Sequence, residues 1–222
     1  MSTPGHPAGV APRSLAAPLL LLTLSLLAAV VGACGGSAPA AATPVWVEAV
    51  TQPPMGSRDT AYDPPRPAPA LRLTDQDGRP FDLASLSGRP VFVYFGYTHC
   101  PDVCPTTLAD LRAGIKASGV DATVVFVTVD PERDDAPAMK QYVDFYGMDY
   151  TGLTGTPEQI AEAAAAWGVT YRKLPGDSAS GYAMAHSTDS YLVDAAGMLR
   201  HHVYFGAPTD LIASLLREVA GT

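Results

Sequence analysis

Two cysteines, Cys100 and Cys104, stand four positions apart in the run Gly96-Tyr-Thr-His-Cys-Pro-Asp-Val-Cys-Pro105, directly after the apolar stretch Val91-Phe-Val-Tyr-Phe95. A thiolate is a nucleophile, half of a redox couple and a soft ligand for copper(I), zinc or iron–sulfur groups. The pair therefore admits three readings: a structural disulfide, a redox dithiol or part of a metal site. The three-residue gap lets both sulfurs converge on one ion, and it differs from the two-residue gap of common dithiol oxidoreductases.

Two sulfurs leave a metal site incomplete, so a third ligand is sought among the five histidines. His6 falls in an N-terminal leader, His99 adjoins Cys100, and His201 and His202 are neighbours on an expected strand, where they face opposite ways. His186 remains, in Ala183-Met-Ala-His-Ser-Thr-Asp-Ser-Tyr-Leu-Val-Asp194. It is expected on the loop that enters a terminal hairpin. Two sulfurs and one imidazole suit three-coordinate copper(I).

These groups need a scaffold. Leu71-Arg-Leu73 alternates, and Asp77-Gly78 before Pro80-Phe-Asp-Leu83 signals an N-terminal β-hairpin. Val91–Phe95 and Thr123–Val129 read as strands buried on both faces, and Leu108, Leu111 and Ile115 between them recur at helical spacing. A strand–helix–strand unit of this kind builds a parallel sheet. Pro105 suits the first position of that helix, which would make Cys104 its cap and give its sulfur thiolate character at the positive helix end. Further helices are expected over 136–146 and 156–167, the latter opening with Thr156-Pro157, and a strand over 169–173. Ser190–Val193 and Arg200–Tyr204 flank Asp194-Ala-Ala-Gly197 as an antiparallel hairpin, and an amphipathic helix over 208–220 closes the chain. The order is that of an α/β, thioredoxin-like mixed sheet flanked by helices.

The first part of the chain reads differently. Residues 1–14 are polar, 15–31 are apolar, and Val31-Gly-Ala-Cys34 resembles a bacterial lipobox, so residues 1–33 are expected to be a lipoprotein signal peptide with Cys34 the lipidated residue. Residues 34–69, rich in Ala, Pro, Gly and Ser, are expected to form a flexible tether, with a short edge strand at Val45-Trp-Val-Glu48. The folded domain is expected over 70–222. With Cys34 assigned to lipid, Cys100 and Cys104 are the remaining cysteines. The net charge of −8 disfavours nucleic acid, so membrane association is expected through the lipid, at the outer face of the cytoplasmic membrane.

Three blocks together resemble the SCO/SenC family of copper proteins: Thr98-His-Cys-Pro-Asp-Val-Cys-Pro105, Val129-Asp-Pro-Glu-Arg-Asp134, and His186-Ser187 with Tyr191-Leu192 and Asp194. The resemblance spans roughly 70–220. It implies a thioredoxin-like fold, copper held by Cys100, Cys104 and His186, and service to the dinuclear copper site of cytochrome c oxidase subunit II. A copper donor protein or a thiol reductant is a further implied partner. The alternative function is a thiol–disulfide oxidoreductase, with Cys100 and Cys104 catalytic, that keeps the oxidase cysteines reduced. A peroxidase of the same fold is a weaker reading, because Thr98 lies only two residues before Cys100.

Other residues are read mainly as structural. Asp130-Pro131 ends a strand and Asp134 or Asp135 caps the next helix. Asp102 lies between the sulfurs and reads equally as a residue that tunes their electrostatics or as an exposed turn residue, and Met184 reads as packing more than as a weak extra ligand.

Overall fold

The computed structural model describes residues 61–146, 150–175 and 181–221. The expected leader, the lipidation site Cys34 and the strand at 45–48 lie outside the described residues. The strands are β1 (Ala61–Pro67), β2 (Arg72–Asp75), β3 (Pro80–Asp82), β4 (Val91–Gly96), β5 (Thr123–Thr128), β6 (Tyr150–Thr154), β7 (Tyr171–Pro175), β8 (Tyr182–His186), β9 (Ser190–Val193) and β10 (Met198–Val203). The helices are α1 (Val103–Ser118), α2 (Ala136–Phe145), α3 (Pro157–Trp167) and α4 (Thr209–Ala220).

Eight strands form one mixed sheet in the order β1-β10-β9-β4-β5-β6-β2-β3. β4, β5 and β6 run parallel, with Val93 opposite Val125 and Val125 opposite Thr151. β4 and β5 are buried along their whole length, which is why they carry continuous apolar runs. α2 covers the sheet face of Phe126 and Gly152, through Tyr142 and Met139, while Trp167 of α3 packs on Phe95 and Tyr191 from the other face. α1 and α4 pack so closely that a Cβ on Gly114 would lie 2.2 Å from Ile212 Cγ2. This is the expected thioredoxin-like architecture, with the hairpin β2–β3 at its N-terminal side. Among the described residues no helix is long and apolar enough to cross a membrane.

Four local expectations are corrected. Residues 61–67, read as the end of the tether, pair antiparallel with β10 as an edge strand; prolines are tolerated there because an edge strand can spare backbone donors. β6 was not anticipated, since Gly152 weakens its strand signal. The glycine is needed, because a Cβ would sit 3.1 Å from Val143 Cγ1 and 3.3 Å from Met139 Cβ. The third correction concerns α1: its cap is Asp102 and Cys104 lies inside the first turn, with Pro105 behind it. Proline is tolerated because first-turn N–H groups have no intrahelical acceptor. Lastly, His186 is the final residue of a strand, and that strand pairs with β7 in a separate two-stranded sheet.

Candidate metal centre

The three residues come from three elements at one end of the sheet. Cys100 lies on the turn after β4, Cys104 is in the first turn of α1, and His186 ends β8. Their ligand atoms all lie within 4.8 Å of one another. Both cysteines are free thiols. The site sits beyond the carboxyl end of β4, where open α/β sheets place their ligands.

Backbone and ring geometry orient the ligands. The Cys104 N–H donates to Cys100 Sγ at 3.3 Å, an N-terminal helix donor aimed at sulfur. His186 Nδ1 lies 2.6 Å from the Ser187 carbonyl, which can only accept, so Nδ1 carries the proton. In the neutral ring Nε2 is then the nitrogen with the free lone pair, and it faces Cys104 Sγ at 3.5 Å. This carbonyl contact fixes both tautomer and ring angle, as is usual for metal-binding histidines. The rings of Tyr97 and Tyr94 meet the imidazole edge-on, with centroids 5.8 and 6.2 Å away. Gly96 completes the cradle: a Cβ there would lie 2.9 Å from Cys104 Sγ and 2.7 Å from Phe126 Cε2.

The two sulfurs are not equivalent. The Cys100 thiol is pulled down to about 3, first by the hydrogen bond with the Cys104 side chain, then by His186 and the N–H groups of Cys104 and Asp102, against the cost of burial. Cys104 moves up, because it shares its proton with Cys100 and is wholly buried. The thiolate expected at Cys104 therefore resides on Cys100. The leading cause is the proton shared between the two sulfurs, with Cys104 the more deeply buried; the first-turn N–H of Cys104, aimed at Cys100 Sγ by the shifted helix start, adds to it.

A buried acidic pair supports the ligand segments. Asp134 is fully buried and accepts from Thr98 N at 2.9 Å, Thr98 Oγ1 at 2.6 Å and Thr128 Oγ1 at 2.6 Å. Asp135 caps α2 by accepting from Ala138 N, so of the two candidates it is the helix cap and Asp134 turns inward. Asp130 accepts from Arg133 Nε and from the Tyr182 hydroxyl.

The remaining sequence candidates stand apart. Asp102 caps α1 by position without a side-chain hydrogen bond, and Met184 is buried in the core. His201 faces Glu218, whereas His202 faces Asp189, in keeping with strand alternation. His99 points to Thr98 and Asp134 and not to the sulfurs. Sequence reasoning missed Tyr94, Tyr97 and Gly96. Only Gly96 carried a signal, as a glycine at a strand end where something approaches closely.

Comparison with known proteins agrees with this geometry. The profile of the SCO1/SenC family matches residues 60–221. A SCO2-like protein of Rickettsia conorii is 34% identical over 153 residues, covering 67% of this chain and 75% of its own length. Among solved structures, the copper-bound ScoI of Arabidopsis thaliana superposes with a TM-score of 0.65 at 33% identity, covering 69% of this chain and 98% of that one. A SCO1/SenC family lipoprotein of Bacillus anthracis superposes with a TM-score of 0.58 at 25% identity, covering 70% and 97% respectively. With the match running through all three motif blocks and the whole described fold, the chain belongs to the SCO1/SenC family.

Proposed function

We propose that this protein is a copper metallochaperone that holds copper through Cys100, Cys104 and His186 and serves the dinuclear copper site of cytochrome c oxidase, with subunit II as the receiving partner. The observation that carries the reading is the convergence of two sulfurs and one imidazole nitrogen within 4.8 Å. Soft thiolates with one imidazole favour copper(I), and a site with Cys100 and His186 partly exposed leaves a side from which the ion can depart. The copper bound in the Arabidopsis relative supports the same cargo here. An anaerobic copper(I) titration of the reduced full chain tests it. One ion per chain in the parent, with much weaker binding in Cys100→Ala, Cys104→Ala and His186→Ala, is the expected result; no stoichiometric uptake by the parent rejects it.

The second reading is dithiol reduction. In that reaction the Cys100 thiolate attacks a partner disulfide and releases one partner thiolate, Cys104 resolves the mixed disulfide and releases the other, and the pair becomes a disulfide; the partner gains two electrons and becomes two thiols with the proton of Cys104 and one from solvent. A thiol reductant must then restore the pair. The low-lying Cys100 thiol favours this chemistry, and it does not need the imidazole. Oxidase maturation that survives His186→Ala but not Cys100→Ala selects dithiol reduction over copper delivery.

The place of action follows from the sequence. Lipidation at Cys34 would hold the domain at the outer face of the cytoplasmic membrane, and the Bacillus anthracis relative is itself a lipoprotein. Metabolic labelling with a fatty acid, present in the parent and lost in Cys34→Ser, tests the anchor.

A further inference from the structure

The second motif block is unexplained by the ligand set, and its side chains reach the histidine arm. Tyr182 begins β8, four residues before His186. Its hydroxyl donates to Asp130 Oδ1 at 2.7 Å. Arg133 donates from Nε to Asp130 Oδ2 at 2.5 Å and from NH1 to the Tyr182 carbonyl at 3.1 Å. The same guanidinium lies over the Tyr182 ring, 3.7 Å from its centroid. Asp130 is 1% exposed and Arg133 16% exposed in their side chains. Charge-assisted hydrogen bonds gain strength from such burial, and a guanidinium can bind a carboxylate and stack on an aromatic ring at once.

This contact matters because of how the arm is attached. β7 and β8 pair only with each other, and among the described residues no main-chain ladder joins them to the eight-stranded sheet. A lone two-stranded hairpin is marginal in water. Its base is closed by Ser187 N donating to the Thr170 carbonyl at 2.9 Å and by Thr170 N donating to Ser187 Oγ at 3.0 Å. Its far end is closed by Arg133 and Asp130, which belong to the loop after β5. The adjoining Asp134 meanwhile grips Thr98 on the cysteine side. One five-residue segment thus holds both halves of the site.

We propose that Asp130, Arg133 and Tyr182 form a latch that sets the position of His186 relative to the two sulfurs, so that Arg133 and Tyr182 are positioning residues for the third ligand. The consequence for copper rests on the function proposed above. With the latch open, the protein keeps its dithiol and loses its imidazole, which converts a three-ligand site into a two-thiol site. The latch therefore separates copper holding from dithiol chemistry within one fold.

Two conservative variants of the full chain test this, purified in mild detergent, reduced and free of metal. Tyr182→Phe removes only the hydroxyl, and Arg133→Lys keeps the charge but removes the fork. The metal-free readout is the set of nuclear Overhauser contacts between the His186 ring and the rings of Tyr94 and Tyr97. These contacts are expected in the parent and weakened in both variants, while Cys100 remains the cysteine that alkylates. The loaded readout is copper(I) affinity, expected to fall about tenfold in Tyr182→Phe, the size of one lost hydrogen bond to a charged group. In a His186→Ala background the same substitution should add nothing. Intact ring contacts with unchanged affinity in both variants overturn the latch, as does an equal loss of affinity in the His186→Ala background. If the parent binds no copper, the proposed function fails, and the ring contacts alone decide the latch.

Discussion

His186 Nε2 lies 3.5 Å from the Cys104 sulfur, although 82 positions separate the two residues. The closeness is a product of strand order: β9, which follows His186, lies beside β4, which precedes Cys100. Chain reversal between these neighbours returns the imidazole to the start of α1. Removing that ring should therefore affect metal and leave the sulfurs in place. For His186→Ala we expect copper(I) affinity to fall at least about tenfold, or about 1.4 kcal/mol, with both thiols still titrating in the unfolded chain. Competition against a copper(I) chelator of known affinity measures it, and equal affinity in parent and variant refutes the third ligand.

The asymmetry of the sulfurs gives a pH prediction. A thiol near its ordinary value of about 8.5 loses reactivity roughly tenfold for each pH unit below it, because only the thiolate attacks. Cys100, lowered to about 3, is a thiolate throughout the range above that value, so lowering pH from neutral toward 5 should scarcely slow its alkylation. Cys104, moved upward and buried, should stay unmodified under the same conditions. Brief iodoacetamide treatment of the reduced, metal-free protein followed by peptide mass spectrometry reads both. Preferential labelling of Cys104, or a Cys100 rate that drops steeply with acidity, contradicts the assignment.

The sequence revealed the scaffold where its signals were periodic and local. β4 and β5 announce themselves by unbroken apolar runs, the β2–β3 hairpin by Asp77-Gly78, and α3 by Thr156-Pro157, whose hydroxyl does accept from Gln159 N. The ligand trio was legible because cysteine and histidine are chemically conspicuous. Tyr94 and Tyr97 were not, since a tyrosine in a strand or just after it looks like core until a ring is found against it. β8 was obscured for a similar reason. It gains its partner only from β7, across a loop rich in glycine and serine, and Tyr-Ala-Met-Ala-His has no strong alternation. The helix start lies two residues earlier than proline suggests, because proline is accepted anywhere in a first turn, and from there the N–H of Cys104 reaches Cys100 Sγ.

Asp134 and Asp135 are adjacent, yet they should respond oppositely to amidation. Asp135 is an exposed cap, and asparagine caps a helix as well as aspartate, so Asp135→Asn should leave stability nearly unchanged. Asp134→Asn places an amide nitrogen among three donors at a fully buried position, which should cost about 2–4 kcal/mol by the value of hydrogen bonds to a buried charge. Urea unfolding of the two variants compares them directly. A similar midpoint for both would show that Asp134 does not anchor Thr98 and the cysteine turn.

Gly96 offers the sharpest steric test of the cradle. A methyl there would lie 2.7 Å from Phe126 Cε2, 2.9 Å from Cys104 Sγ and 3.2 Å from Tyr94 Cε1, and each of these side chains is fully buried. None is a flexible end that can swing into solvent, so the methyl must push Phe126 and Tyr94 off their rotamers or move the sulfur. Overpacking of this kind costs about 1–3 kcal/mol. The displaced sulfur carries a second consequence, because Cys104 Sγ is also the atom facing His186 Nε2. Gly96→Ala should therefore lower both the unfolding midpoint and the copper(I) affinity. By contrast, Gly78→Ala, where a Cβ meets nothing but the backbone is left-handed at φ 78°, should lower the midpoint and leave affinity alone. Stability and affinity measured side by side for the two variants distinguish a crowded cradle from a general loss of stability. Affinity retained in Gly96→Ala would mean that the sulfur does not depend on this close packing.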